Sequence, residues 1–220
     1  MNYFILLFVV IANFAQSSAA QTPALGQLYP AKPPEGSSFV RIVNPAVEAV
    51  KVSIAGVAEA TPLSASGNIT SNYRIVNPER PVQVTINGKP VLNVGKIESN
   101  NFITLILKKS GEEYSLAALQ DATQGHNALK ADLRVYNLVP GCIATVIANK
   151  DIKVFTDLPE GGTLRRAINP IKVEFTARCA SGVESLPLSP PQLQPGSRYS
   201  LFITGIPAKP ILSGNLDAVN

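Results

Sequence analysis

The sequence predicts an all-β protein made of two tandem, related β-sandwich modules joined by a short polar linker. Three observations predict it. Apolar and polar residues alternate in many short runs, no stretch after residue 20 sustains a 3.6-residue apolar period, and segments of one half recur in the same order in the other.

Residues 1–20 read as a cleaved secretory signal peptide. The apolar run from Phe4 to Ala15 is shorter than the roughly 20 residues that span a bilayer. Ser17-Ser18-Ala19-Ala20 supplies the small residues of a cleavage site before Gln21. The first three residues carry no Lys or Arg, a departure from the usual signal, so an uncleaved membrane anchor is the competing reading. No Cys follows the cut, which argues against a lipoprotein. Residues 21–35 form a Pro-rich extension, with Ala31-Lys32-Pro33-Pro34-Glu35-Gly36 expected to be extended rather than packed.

The first sandwich module is expected over residues 36–119. Val50, Val52 and Ile54 alternate with Lys51 and Ser53, and Val82, Val84 and Ile86 alternate with Gln83 and Thr85. Asn87-Gly88 follows the second of these runs and marks a hairpin, because both central positions of a type I′ turn need positive φ. Residues 120–129, including Gln120, Asp121 and His126, are polar and carry no strand pattern, which predicts an exposed linker. The second module is expected over residues 130–220. Ile171, Val173 and Phe175 alternate there with Lys172, Glu174 and Thr176, and Pro187 to Pro195 reads as a long loop.

The repeat organises these elements. Phe39-Val40-Arg41-Ile42-Val43-Asn44 is answered by Asp132-Leu133-Arg134-Val135-Tyr136-Asn137, with the arginines 93 positions apart. Tyr73 to Pro78 is answered by Arg165 to Pro170, and Asn101 to Ile106 by Arg198 to Ile203, at offsets of 92 and 97. Three matches in one order predict a duplicated unit.

Composition narrows the function. The 220 residues are 45% hydrophobic and 15% charged with 18 Pro, which suits folded domains rather than a disordered chain. The net charge of +4 is spread over both halves, whereas nucleic-acid binders concentrate their basic residues. Cys142 and Cys179 are the only cysteines. In an oxidising compartment a disulfide is the expectation, and closing that loop would stabilise the second half by about 4 kcal/mol on a chain-entropy estimate. Two buried thiols are the alternative; a metal site is disfavoured by the single His and the absence of paired ligand spacing.

Candidate chemistry is sparse. A Ser-His-Asp or Cys-His mechanism needs an imidazole, and the only one is His126, in the linker. Gly161-Gly162 has no helix after it to make a phosphate site. Glu112-Glu113 and Asp157 with Glu160 read as charged turns rather than a glycosidase pair, and the sequon Asn68-Ile69-Thr70 as coincidence. No catalytic residue, metal or cofactor is therefore expected. Arg41, Arg74, Arg134, Arg165 and Arg166 hold matching places in the two repeats. Facing outward, they would form a guanidinium surface for carboxylates of a partner or an acidic polysaccharide. Edge protection and solubility is the plainer account and the favoured one.

Leu28-Tyr29-Pro30, Pro34 to Asn44, Tyr73-Arg74, Leu133 to Leu138, Ile168 to Val173 and Ser200 to Gly205 span most of the chain after residue 20. In these stretches and their order the chain resembles the AlgF family, which serves alginate O-acetylation. None of the stretches is a catalytic motif. The resemblance implies a periplasmic, noncatalytic adaptor of two β-sandwich domains that binds periplasmic and membrane-bound polysaccharide O-acetyltransferase proteins, with no membrane span after signal cleavage. The alternative expectation is a module that binds the acidic polysaccharide directly, although the chain has no Trp and only 8 Phe and 6 Tyr to offer sugar rings.

Overall fold

The computed structural model describes residues 32–121, 127–180 and 182–219. The signal peptide assigned to 1–20, most of the Pro-rich extension and His126 lie outside the described residues. The described chain is all-β. Its strands are β1 (Ser38–Val43), β2 (Val52–Ile54), β3 (Val57–Ala58), β4 (Arg74–Val76), β5 (Val84–Ile86), β6 (Lys89–Pro90), β7 (Asn93–Val94), β8 (Phe102–Ser110), β9 (Glu113–Asp121), β10 (Ala131–Asn137), β11 (Ala144–Ala148), β12 (Ile152–Leu158), β13 (Thr163–Ile168), β14 (Phe175–Cys179), β15 (Arg198–Ile206) and β16 (Lys209–Leu216).

These strands form two larger and two smaller sheets. The larger sheets run β4-β1-β8-β9-β7 and β13-β10-β15-β16, and the smaller ones β3-β2-β5-β6 and β12-β11-β14. In each larger sheet the first long strand of its half pairs antiparallel on one side and parallel on the other: β1 with β4 and β8, β10 with β13 and β15. The duplication read from sequence is thus repeated in strand order and direction.

Registers correct one detail of the repeat. Arg41 lies opposite Thr104 and Arg134 opposite Ser200, so the third match has an offset of 96 rather than 97. The difference of one residue matters because successive side chains in a strand point to opposite faces. With the corrected register, Thr104 and Ser200 hold equivalent positions, as do Phe102 and Arg198.

Both faces of β1 and β10 are buried along their whole length. One face closes the core of its own half. In the first half, Val40 and Ile42 cluster with Val52, Ile54, Val84, Ile86, Ile103 and Leu105. In the second, Leu133 and Val135 cluster with Val146, Phe175, Ala177, Leu201 and Ile203. The other face looks across the seam to the opposite half, where Val43, Ile69, Ile106, Tyr136 and Phe202 pack into one apolar cluster drawn from both. Burial of each such aliphatic or aromatic side chain contributes about 1.5–3 kcal/mol relative to exposure.

Local expectations meet the structure unevenly. Asn87 and Gly88 have φ of 51° and 79°, and the hairpin they make pairs Ile86 with Lys89. Cys142 and Cys179 form a disulfide with Cα atoms 5.3 Å apart, placed by the β11–β14 pairing that sets Ala144 opposite Cys179. The strand expected at Ile171–Thr176 instead begins at Phe175, and Ile171 is exposed. Its pairing explains the shift: β11 ends at Ala148 opposite Phe175, so residues before it have no ladder to join. Gln120 and Asp121, read as exposed linker, are the last residues of β9, opposite Ile103 and Phe102.

Candidate functional site: a buried charge network at the seam

The seam-facing side of β1 should carry apolar residues, and at its centre it carries Arg41 instead. The side chain is 1% exposed. A buried guanidinium is tolerated only if its charge and donors are met. Nε donates to Thr104 Oγ1 at 3.0 Å, and Nη1 to Asp217 Oδ1 at 2.7 Å. Nη2 donates to the Tyr136 hydroxyl at 2.8 Å and to Ser200 Oγ at 2.9 Å. The guanidinium carbon lies 4.6 Å from the ring centroid of Tyr73 and 5.3 Å from that of Phe202.

Every hydroxyl that accepts from Arg41 passes a proton donor on to a carboxylate. Ser200 Oγ donates to Asp217 Oδ2 at 3.0 Å. Thr104 Oγ1 donates to Asp121 Oδ2 at 2.8 Å and the Tyr136 hydroxyl to Asp121 Oδ1 at 2.6 Å. The Tyr73 hydroxyl adds a third donor to Asp121, at 2.8 Å, and Arg134 Nη1 stands 3.6 Å from the same carboxylate.

The arrangement repeats the fold's duplication and then exchanges partners. Arg41, Thr104 and Asp121 belong to the first half; Arg134, Ser200 and Asp217 hold the equivalent places in the second. Asp121 lies two residues past the partner of Thr104 on β9, and Asp217 two past the partner of Ser200 on β16. Each hydroxyl serves the carboxylate of its own half, whereas each arginine pairs with the carboxylate of the other. Two positive and two negative charges cancel across the seam. The C-terminal segment adds backbone bonds: Tyr73 N–H donates to Ala218 C=O at 2.9 Å, beside a parallel bridge from Tyr73 to Val219.

Electrostatics follow from the closure. Burial opposes the Arg41 charge, but Asp217, backed by Tyr136, Tyr73 and Asp121, holds its pKa well above the ordinary value. Arg134 is likewise raised, against burial, by Tyr136 and Asp121. Burial drives Tyr73 well above its usual value, and pushes Tyr136 up to about 12 even though Arg41 pulls the other way. Among the described residues no group of three His, Cys, Asp or Glu side chains is placed to hold a metal ion. Most of the network's polar atoms bond to one another, away from solvent, and what it can do is fix two halves at one angle.

The five arginines expected on a surface fall into separate places. Arg41 and Arg134 are buried in the seam, which removes them from any outward face, because their hydroxyl and carboxylate partners repay the cost of taking them out of water. Arg165 is partly buried, with Nε bound to Asp132 Oδ1 at 2.5 Å, beside Arg134 in the β10–β13 register. Arg74 is partly buried, 4.0 Å from Glu59. Arg166 is exposed and donates to Val154 C=O at 3.0 Å. Sequence reasoning missed Asp121, Asp217, Thr104, Ser200, Tyr73 and Tyr136. The signal that finds the carboxylates is the repeat: two acids at equivalent strand positions matching two arginines at equivalent strand positions.

Comparison with known proteins places this geometry in a lineage. The family model described as Alginate O-acetyl transferase AlgF matches residues 10–200. The chain belongs to the AlgF family. A relative from Pseudomonas aeruginosa, Alginate biosynthesis protein AlgF, is 27% identical over 183 residues, covering 82% of this chain and 78% of its own. Another of the same name, from Pseudomonas syringae pv. tomato, is 26% identical over 180 residues, covering 81% of this chain and 75% of its own. The AlgF match takes in Arg41, Thr104, Asp121, Arg134 and Ser200 of the network and ends before Asp217.

Proposed function

We propose that this chain is an exported, periplasmic, noncatalytic adaptor in the O-acetylation of a secreted polysaccharide, alginate in the first instance, and that it holds acetyltransferase components together. Each half acts as one β-sandwich module, and a partner meets both in a single fixed arrangement. The observation that carries the reading is the exchanged ion pair of Arg41 with Asp217, which ties the start of the first half to the end of the second. Membership of the AlgF family supplies the pathway. The family description contains the word transferase; here the chemistry is assigned to the partners, because the polar groups gathered at the seam are committed to internal bonds.

The test is an affinity pull-down from envelope extract with the mature chain as bait. Recovery of a polysaccharide O-acyltransferase is the expected result. Failure to recover one, under conditions that retain other envelope complexes, contradicts the adaptor role.

A further inference from the structure

The duplication leaves one place unmatched. In the first half β9 carries β7 on its outer side: Asn93 lies opposite Ser115 and Val94 opposite Leu116, running parallel, and Gly95 N–H donates to Leu116 C=O at 2.8 Å. Thr104 lies opposite Leu119 and Ser200 opposite Asn215, so residues 115–118 of β9 are answered by 211–214 of β16. Yet β16 ends its sheet, and among the described residues no strand pairs with its outer side. Its backbone is aimed there. Asp217 N–H donates to Arg198 C=O at 2.9 Å, and antiparallel partners exchange such bonds at every second position, so the N–H and C=O of Leu212 and Gly214 point away from β15.

The sequence explains the vacancy. Counted back from Phe102 and Arg198 at the offset of their ladders, Val94 and Gly95 are answered by Pro190 and Pro191. Proline has no N–H to give a ladder, so the second half cannot supply the bond that Gly95 makes in the first.

The vacant side is a groove of about 460 Å³. Residues 209–214 all line it, and a strand presents consecutive residues only at its edge, since a face shows every second one. Leu186, Pro187 and Leu188 add an apolar wall, with Leu186 86% exposed. Ala65 of the first half also lines the groove, its C=O accepting from Ser213 Oγ at 2.9 Å. The charged lining residues are Glu184 and Lys209, of opposite sign.

We propose that the outer edge of β16 is the docking site for an extended, uncharged, apolar segment of a partner protein, added as a parallel strand where β7 lies in the first half. An unpaired edge beside exposed apolar side chains is a template for strand addition. A two-fold pair of copies would set β16 against β16 antiparallel, the opposite of the direction that β7 takes. The opposed signs of Glu184 and Lys209 suit a segment without net charge. The groove is lined from both halves, as a partner that meets both requires. This rests on the reading of the chain as an adaptor and goes beyond it by naming the surface and the form of what it holds.

The probe is a synthetic peptide of residues 91–95 with capped ends, the first half's own β7 segment, titrated into the isotope-labelled mature chain while backbone amide NMR shifts are followed. Saturable shifts at Leu212 and Gly214 are expected. Binding should be about tenfold weaker in Leu212→Pro, which deletes one outward N–H and spares the ladder to β15. A control peptide with Val94→Pro and Gly95→Pro should not bind. No shift at millimolar peptide, equal affinity in Leu212→Pro, or equal binding of the control peptide overturns the proposal. Slow hydrogen exchange of the Leu212 amide in the free mature chain also overturns it. The edge would then be filled by the chain's own residues 21–31, or by a second copy if protection rises with concentration. Where Leu212→Pro does not fold, the two peptides on the wild type decide alone. Pull-down keeps the two claims apart. An acyltransferase recovered equally by wild type and by Leu212→Pro sinks the β16 site and leaves the adaptor role; a chain that binds the peptide but recovers no acyltransferase loses the adaptor role and keeps the edge.

Discussion

Arg41 Nη1 and Asp217 Oδ1 lie 2.7 Å apart although 176 residues of chain separate them, and their side chains are 1% and 5% exposed. A contact of that span is made only when both halves are folded and docked. Replacing Asp217 with Asn removes the countercharge and leaves a buried guanidinium, at a cost of about 3–5 kcal/mol. Urea unfolding of Asp217→Asn measures it. The apolar double variant Arg41→Met with Asp217→Leu, which removes both charges, is expected to recover most of the loss.

Asp121 is the more heavily used carboxylate. It accepts from Tyr73, Thr104 and Tyr136 and faces Arg134, so Asp121→Ala orphans more donors than Asp217→Ala. The expected loss is larger than for Asp217→Ala by at least 1 kcal/mol or so, one hydrogen bond's worth. Equal denaturation midpoints for the two variants would contradict the asymmetry.

Much of this fold is legible in the sequence, because alternation and turn chemistry are local. Val50, Val52 and Ile54 are all buried, as their period of two requires, and Asn87-Gly88 turns where its φ preference places it. The arginine pair was visible as a repeat, but its destination was not. Arg41 reads as a surface residue until Asp217, Ser200 and Tyr136 are known to close on it, and those contacts depend on how two sheets dock. The end of β9 was hidden for a related reason: Gln120 and Asp121 look like linker by composition, yet the ladder to Phe102 and Ile103 carries the strand through them.

High pH should loosen the protein in a defined window. Burial pushes Tyr136 up to about 12, and burial with the nearby Asp217 charge pushes Tyr199 to about 12. Unfolded tyrosine titrates near 10. A pKa raised in the fold means that the neutral phenol is favoured there, so this stability is whole below about pH 10 and is lost as pH rises towards about 12. For Tyr136 the loss is on the order of 3 kcal/mol. Ultraviolet titration of phenolate should show these tyrosines ionising after exposed ones, coincident with unfolding; early, fully reversible ionisation of every tyrosine would contradict it.

The Cys142–Cys179 bridge closes a loop with a sequence separation of 37 inside the second half. Replacing both cysteines with Ala should cost about 4 kcal/mol by loop entropy. Guanidinium denaturation compares the variant with the oxidised wild type, and unchanged stability would show that the bridge adds nothing beyond the packing of β11 on β14.

The claim that organises the rest is that the exchanged charge network makes the two halves one body. Scanning calorimetry of the oxidised mature chain tests it most directly. One transition, with calorimetric and van't Hoff enthalpies equal, is the predicted result; two separate transitions in the wild type would show halves that melt independently and would contradict it.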